Sequence, residues 1–123
     1  MIQGIVNARH EAMVSMRVRG PGGVELDVDS IVDSGYTASL TLPMTIANSL
    51  GLVRQSGSAA VLADGTVHQF DVYSAEVEWD GAWRAVLVSV IGSESRLGMR
   101  LVAGHKLTIE VIPGGSVEIL PLS

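Results

Sequence analysis

The stretch that decides the reading of this chain is Val28-Asp29-Ser30-Ile31-Val32-Asp33-Ser34-Gly35-Tyr36-Thr37-Ala38-Ser39-Leu40-Thr41-Leu42-Pro43. An apolar, β-branched run leads straight into Asp33. A carboxylate placed where a buried strand turns is costly, because desolvation penalises its charge. Ser34 supplies a small hydroxyl that can hydrogen-bond across a tight site. Gly35 lets a backbone N–H approach the carboxylate with no Cβ in the way. The same three letters also spell an ordinary turn, so the flanking sequence has to decide.

Upstream, Val14, Met16 and Val18 alternate with Ser15, Arg17 and Arg19. Gly20-Pro21-Gly22-Gly23 marks a turn, and Val24, Leu26 and Val28 then alternate with Glu25, Asp27 and Asp29. This is the period of a hairpin with one buried face. Downstream, Pro43 to Gly51 predicts a short helix, with proline at its start, glycine at its end, and Ile46, Ala47 and Leu50 on one face.

Further short strands follow. Ser58–Ala63 and Thr66–Tyr73 flank Asp64-Gly65, and Ala75–Trp79 and Trp83–Val90 flank Asp80-Gly81. Both D-G pairs favour hairpin turns. Leu97 to Gly104 carries a brief helical pattern ended by glycine, and Lys106–Ile112 and Ser116–Leu120 close the chain around Pro113-Gly114-Gly115. Many short strands with turn signals about every ten residues predict a mostly β barrel or sandwich.

The 123 residues suit one domain, 1–123, with one core. Hydrophobic residues make up 47% and charged residues 17%, which excludes disorder. With a mean hydropathy of +0.38, some apolar surface is expected to lie under a partner subunit. The net charge of −5 argues against a nucleic-acid partner. No cysteine is present, so thiolate chemistry and disulfides are excluded. His10, His68 and His105 are scattered without ligand spacing, so no metal or cofactor is expected. No serine stands in a G-x-S-x-G setting. No leader pattern or membrane-length apolar run is read, and the expected location is cytoplasmic, away from the membrane.

The order of these parts resembles the retropepsin-like aspartic proteases of clan AA. More narrowly, it resembles the bacterial and archaeal group marked by D-T-G-F-T-G-x-L-x-L-P, a pattern that stands here as Asp33 to Pro43 with serine for threonine and tyrosine for phenylalanine. The match continues through Leu50-Gly51-Leu52, Leu62 to Thr66, Trp79-Asp80-Gly81 and Leu97 to Leu101, and so covers nearly the whole chain.

The resemblance implies a retropepsin-like acid-protease barrel, closed or partly open, with one or two short helices. It implies one lobe of a two-lobed C2 homodimer, because the chain holds a single D-S-G. It implies an aspartic endopeptidase acting on peptide or protein substrates. Two Asp33 carboxylates would share one proton and activate a water, with Ser34 bonding across the dyad and Gly35 N–H supporting the carboxylate. Ala63, Asp64, Gly65 and Thr66 would form a flap tip over substrate. Tyr36 would pack under the site, and Leu97 with Gly98 would pack behind it. Arg96 departs from the family pattern, since an apolar residue is usual there, and Val90-Ile91-Gly92 competes for the role of Leu97-Gly98. Met1–Val6 and Val117–Leu120 are candidates for the dimer interface. The alternative is a dimer of the same fold that grips extended peptides without cutting them.

Overall fold

Alternation of apolar and polar side chains builds the first sheet of the computed structural model, which describes residues 1–61 and 63–123. Leu62, part of the strand expected from Ser58 to Ala63 and of the D-G match, lies outside the described residues. β1 (Ile2–Val6) precedes a long hairpin of β2 (Ala12–Arg19) and β3 (Glu25–Val32). The pair runs from Arg19 opposite Glu25 to Met13 opposite Ile31. Val14, Met16, Val18 and Val28 face the core, while Ser15, Arg17, Asp27 and Asp29 face water.

β4 (Leu40–Leu42) and α1 (Met44–Leu50) follow. Proline precedes the first helical residue, and Gly51 ends the helix with φ 65, in the left-handed region that favours glycine. The helix buries Ala47 and Leu50 and half-buries Ile46, the face expected from the sequence. β5 (Arg54–Val61) and the first half of β6 (Val67–Trp79) form an arm, with β5 exposed along almost its whole length, while Ala75, Val77 and Trp79 of β6 are buried in the core. β6 runs unbroken through Ser74, where two separate strands were expected.

β7 (Ala82–Val90) returns through a true two-residue turn. Asp80 and Gly81 have φ 52 and 88, the two left-handed residues that such a turn demands. At Asp64-Gly65 the glycine alone is left-handed, and the described pairing of the two strands reaches Val61 opposite Val67. Thus the two D-G pairs make different turns.

The chain ends with β8 (Ser95–Leu97), α2 (Met99–Val102), β9 (His105–Ile109) and β10 (Ser116–Pro121). α2 is shorter than the expected helical stretch, and β9 stops three residues before Ile112.

The sheet closes on itself. β2, β3, β8, β4, β7 and β6 form a ring of neighbours, completed by Val18 opposite Val77 and Arg19 opposite Glu76. β8 threads between β3, parallel to it, and β4, antiparallel. β1, β10 and β9 extend the sheet beyond β2. The mostly β barrel with two short helices is as the sequence predicts. Leu40, Leu42, Leu97 and Leu101 are fully buried at its centre. Each such burial stabilises by roughly 1.5–3 kcal/mol.

Neither terminal strand is the edge strand of the sheet. β1 lies between β2 and β10, and β10 between β1 and β9. Val117 and Ile119 are buried within the same chain. β1 pairs with β10 from Ile2 to Ile5 but with β2 only at Ile5 and Val6, so Ile2, Gln3 and Gly4 are paired along one side.

Candidate active site

The parallel pairing of β3 with β8 places Asp33. Val32 lies opposite Leu97, and one residue later the Asp33 N–H donates to the Leu97 carbonyl at 2.9 Å. The two strands are also joined inside the barrel by Ser30 and Ser95, whose buried hydroxyls lie 2.6 Å apart. Satisfying each polar group with the other is what permits two serines in a dry position.

Beyond β3 the chain turns tightly. Gly35 N–H donates to Asp33 Oδ1 at 3.0 Å, and Tyr36 N–H donates to the Asp33 carbonyl at 3.1 Å. The Asp33 carboxyl is one-third exposed, and Ser34 and Gly35 are exposed beside it. The carboxylate thus stands at a rim.

Behind the turn, three further backbone bonds join the loop to the segment after β8. Gly98 N–H donates to Ser39 O (2.9 Å), Met99 N–H to Tyr36 O (2.7 Å) and Arg100 N–H to Ala38 O (3.3 Å). A Cβ on Gly98 would lie 2.0 Å from the Ala38 carbonyl oxygen and 2.6 Å from Tyr36 Cδ2, so only glycine fits. Gly92, the rival position, has open space around it and makes no such approach. The Tyr36 hydroxyl donates to Leu40 O and Ser89 Oγ, both at 3.4 Å, pinning the ring over β4 and β7.

The second carboxylate oxygen is occupied. Arg96 Nη1 donates to Asp33 Oδ2 at 3.3 Å, and Arg96 Nη2 donates to Glu94 Oε2 at 3.2 Å. The Arg96 main-chain N–H donates to Thr41 Oγ1 at 2.8 Å, which fixes the residue's base. The sequence marks Arg96 as a departure from an apolar pattern but not its contact with Asp33, because the β3–β8 register carries no local signal.

The structure brings Asp33, Ser34, Gly35, Tyr36, Leu97 and Gly98 into one cluster. Ala63, Asp64, Gly65 and Thr66 stand apart at the exposed end of the β5–β6 arm. There Asp64 Oδ1 accepts from the Thr66 hydroxyl at 2.6 Å and from its N–H at 2.9 Å. These bonds, the hydroxyl's first, hold the Asp64 carboxyl below the usual carboxylate range. Among the described residues, no hydrogen bond or ion pair joins this tip to Asp33.

No protein-family model matches the chain, and no curated protein matches it. A solved structure does: EIAV protease complexed with the inhibitor HBY-793, with a TM-score of 0.54 and 16% identity. The alignment covers 78% of this chain and 88% of that one. The fold is that of the retropepsins. At this identity the likeness speaks for the retropepsin architecture, and the chemistry has to be argued from the residues.

Proposed function

We propose that this retropepsin-fold chain is an aspartic endopeptidase that works as a C2 homodimer. The observation that carries the reading is the support around Asp33: an N–H anchored on Leu97 O, an Oδ1 capped by Gly35 N–H, and Gly98 packed behind the loop. An ordinary turn aspartate needs the second feature alone.

One carboxylate cannot be both acid and base in the same step. A two-fold axis beside Asp33 would supply the second from an identical subunit. The two carboxyls would share one proton, since two like charges at close range repel. The ionised member would take a proton from a water as that water attacks the scissile carbonyl. The protonated member would hydrogen-bond the carbonyl oxygen and later deliver a proton to the departing amine. Ser34, exposed next to Asp33, would bond across the axis. The β5–β6 arm would close over the peptide and exclude water, with Ala63 to Thr66 at its tip.

A second reading rests on one observation. Arg96 holds Asp33 Oδ2, and a site in which that contact persists would grip an extended peptide without hydrolysing it.

Asp33→Asn separates these readings. Cleavage of unfolded protein or peptides by the wild type, lost in the folded variant, is the expected result. Equal cleavage by both would remove Asp33 from the chemistry. Peptide binding by both with no turnover would favour the second reading. Sedimentation showing only monomer at active concentrations would defeat the shared-proton mechanism.

A further inference from the structure

A groove of about 460 Å³ lies between the β5–β6 arm and the loop that follows Gly35. Ser58, Phe70 and Val72 form its arm side, and Ala38 forms its loop side. Arg84 and Arg100 form its basic end. The chain carries thirteen acidic residues against eight basic ones, yet none of the thirteen lines this groove.

Of the six basic residues elsewhere, four are ion-paired among the described residues and two, Arg9 and Lys106, are not. Arg17, Arg19, Arg54 and Arg96 are each paired with a carboxylate. Glu76, which lies opposite Ala85 and is the acidic residue nearest in register, is held by Arg19. Arg84 spends its guanidinium on main chain, donating to Leu101 O at 3.3 Å and Arg100 O at 3.4 Å. Arg100 makes no ion pair among the described residues and is exposed at the groove. Arg84 thus fixes the segment that carries Arg100 and adds a second positive charge beside it.

We propose that this groove is a subsite for an acidic side chain of an extended peptide, with Arg100 as the residue that binds its carboxylate and Arg84 as the residue that positions Arg100. The inference rests on the peptide-cleft reading above. A peptide lying along the loop after Gly35 and under the arm runs past Ala38. The small side chain there leaves the groove open to the peptide. An Asp or Glu on that peptide meets a guanidinium whose fork matches a carboxylate, and Phe70 and Val72 give the groove an apolar wall on the arm side.

The test uses pairs of otherwise identical peptides that carry Glu or Gln at each position around the cleaved bond. At one position the wild type should cleave the Glu peptide about tenfold faster in kcat/KM. The ratio should shrink as salt rises. Arg100→Gln should level the pair, Arg100→Lys should keep part of the preference, and Arg100→Glu should turn it toward a Lys peptide. Binding of the same peptides to Asp33→Asn, followed by fluorescence anisotropy, separates recognition from chemistry. Glu-selective binding with no cleavage by the wild type supports the subsite and overturns the endopeptidase reading. Cleavage or binding with no Glu/Gln difference at any position, or a difference that survives Arg100→Gln, overturns the subsite alone. Failure to bind or cleave any peptide overturns both.

Discussion

Arg96 Nη1 lies 3.3 Å from Asp33 Oδ2, so the carboxylate at the centre of the candidate site is held by an arginine of its own chain. A guanidinium does not release its proton in a protein. While it holds Oδ2, one of that oxygen's two lone-pair sites is taken. Both partners are more than a quarter exposed, at 40% and 33%, and such a pair contributes only about 0–1 kcal/mol. On the proposed reading of Asp33 as catalytic, the contact would be a weak brake. Arg96→Leu should raise kcat/KM by up to about fivefold at low salt. Added salt should stimulate the wild type and leave the variant flat. A loss of activity in a folded Arg96→Leu dimer would instead make Arg96 a helper of the reaction.

Gly98 and Gly92 give opposite expectations for one added methyl group. At Gly98 the methyl meets the Ala38 carbonyl at 2.0 Å, and this backbone can give way only by moving the loop that carries Asp33. Gly98→Ala should cost about 3 kcal/mol and lower Tm by ten degrees or more. At Gly92 the methyl meets nothing, and the cost is that of a left-handed residue at φ 71, about 1 kcal/mol. Thermal melts of the two variants, with activity measured on the folded fraction, test the assignment. Equal destabilisation would remove Gly98 from its special place.

Local patterns were readable and long-range register was not. The β2–β3 hairpin followed from a strict alternation at Val14, Met16 and Val18, and α1 followed from proline and glycine at its ends. Burial enforces both patterns within a few residues, so the sequence records them. The strand edges at the chain ends, the length of β6 and the contrast between the two D-G turns depend on partners elsewhere in the fold. Arg96 reaches Asp33 from 63 residues away, and Arg84 reaches α2 across 16 residues, through pairings that leave no mark on either local sequence. Gly98 lies between these cases. The short helix expected after it set it apart from Gly92, while the reason it is a glycine is visible only once the Ala38 carbonyl is seen against it.

Ser30 and Ser95 hold β3 on β8 inside the barrel with their hydroxyls 2.6 Å apart. Removing one hydroxyl strands the other in a dry site, which costs about 1–3 kcal/mol. Removing both leaves no orphan. The Ser30→Ala and Ser95→Ala variants should each be destabilised by more than half the loss seen in the double variant. Chemical denaturation of the four proteins gives the coupling directly. Strict additivity would mean that the two serines are satisfied independently.

The arm tip carries a pH dependence whose sign is fixed by its bonds. The Thr66 hydroxyl and then the Thr66 N–H hold the Asp64 carboxyl below its ordinary value. A depressed folded-state value contributes order above the unfolded value of about 3.9, and the contribution is lost as pH falls through the folded one. The tip turn should therefore stay intact at pH 4 and loosen only in stronger acid. Thr66→Val removes the leading contribution and should move the Asp64 titration up toward the ordinary range, so that loosening begins at a higher pH. Carboxyl carbon NMR reads the titration, and amide exchange at residue 66 reads the turn. An unchanged Asp64 titration in Thr66→Val would show that the hydroxyl bond does not persist in solution. The turn would then rest on the Thr66 N–H bond, which still ends on the titrating Asp64 carboxylate, and on the left-handed Gly65, with φ 85, which does not titrate.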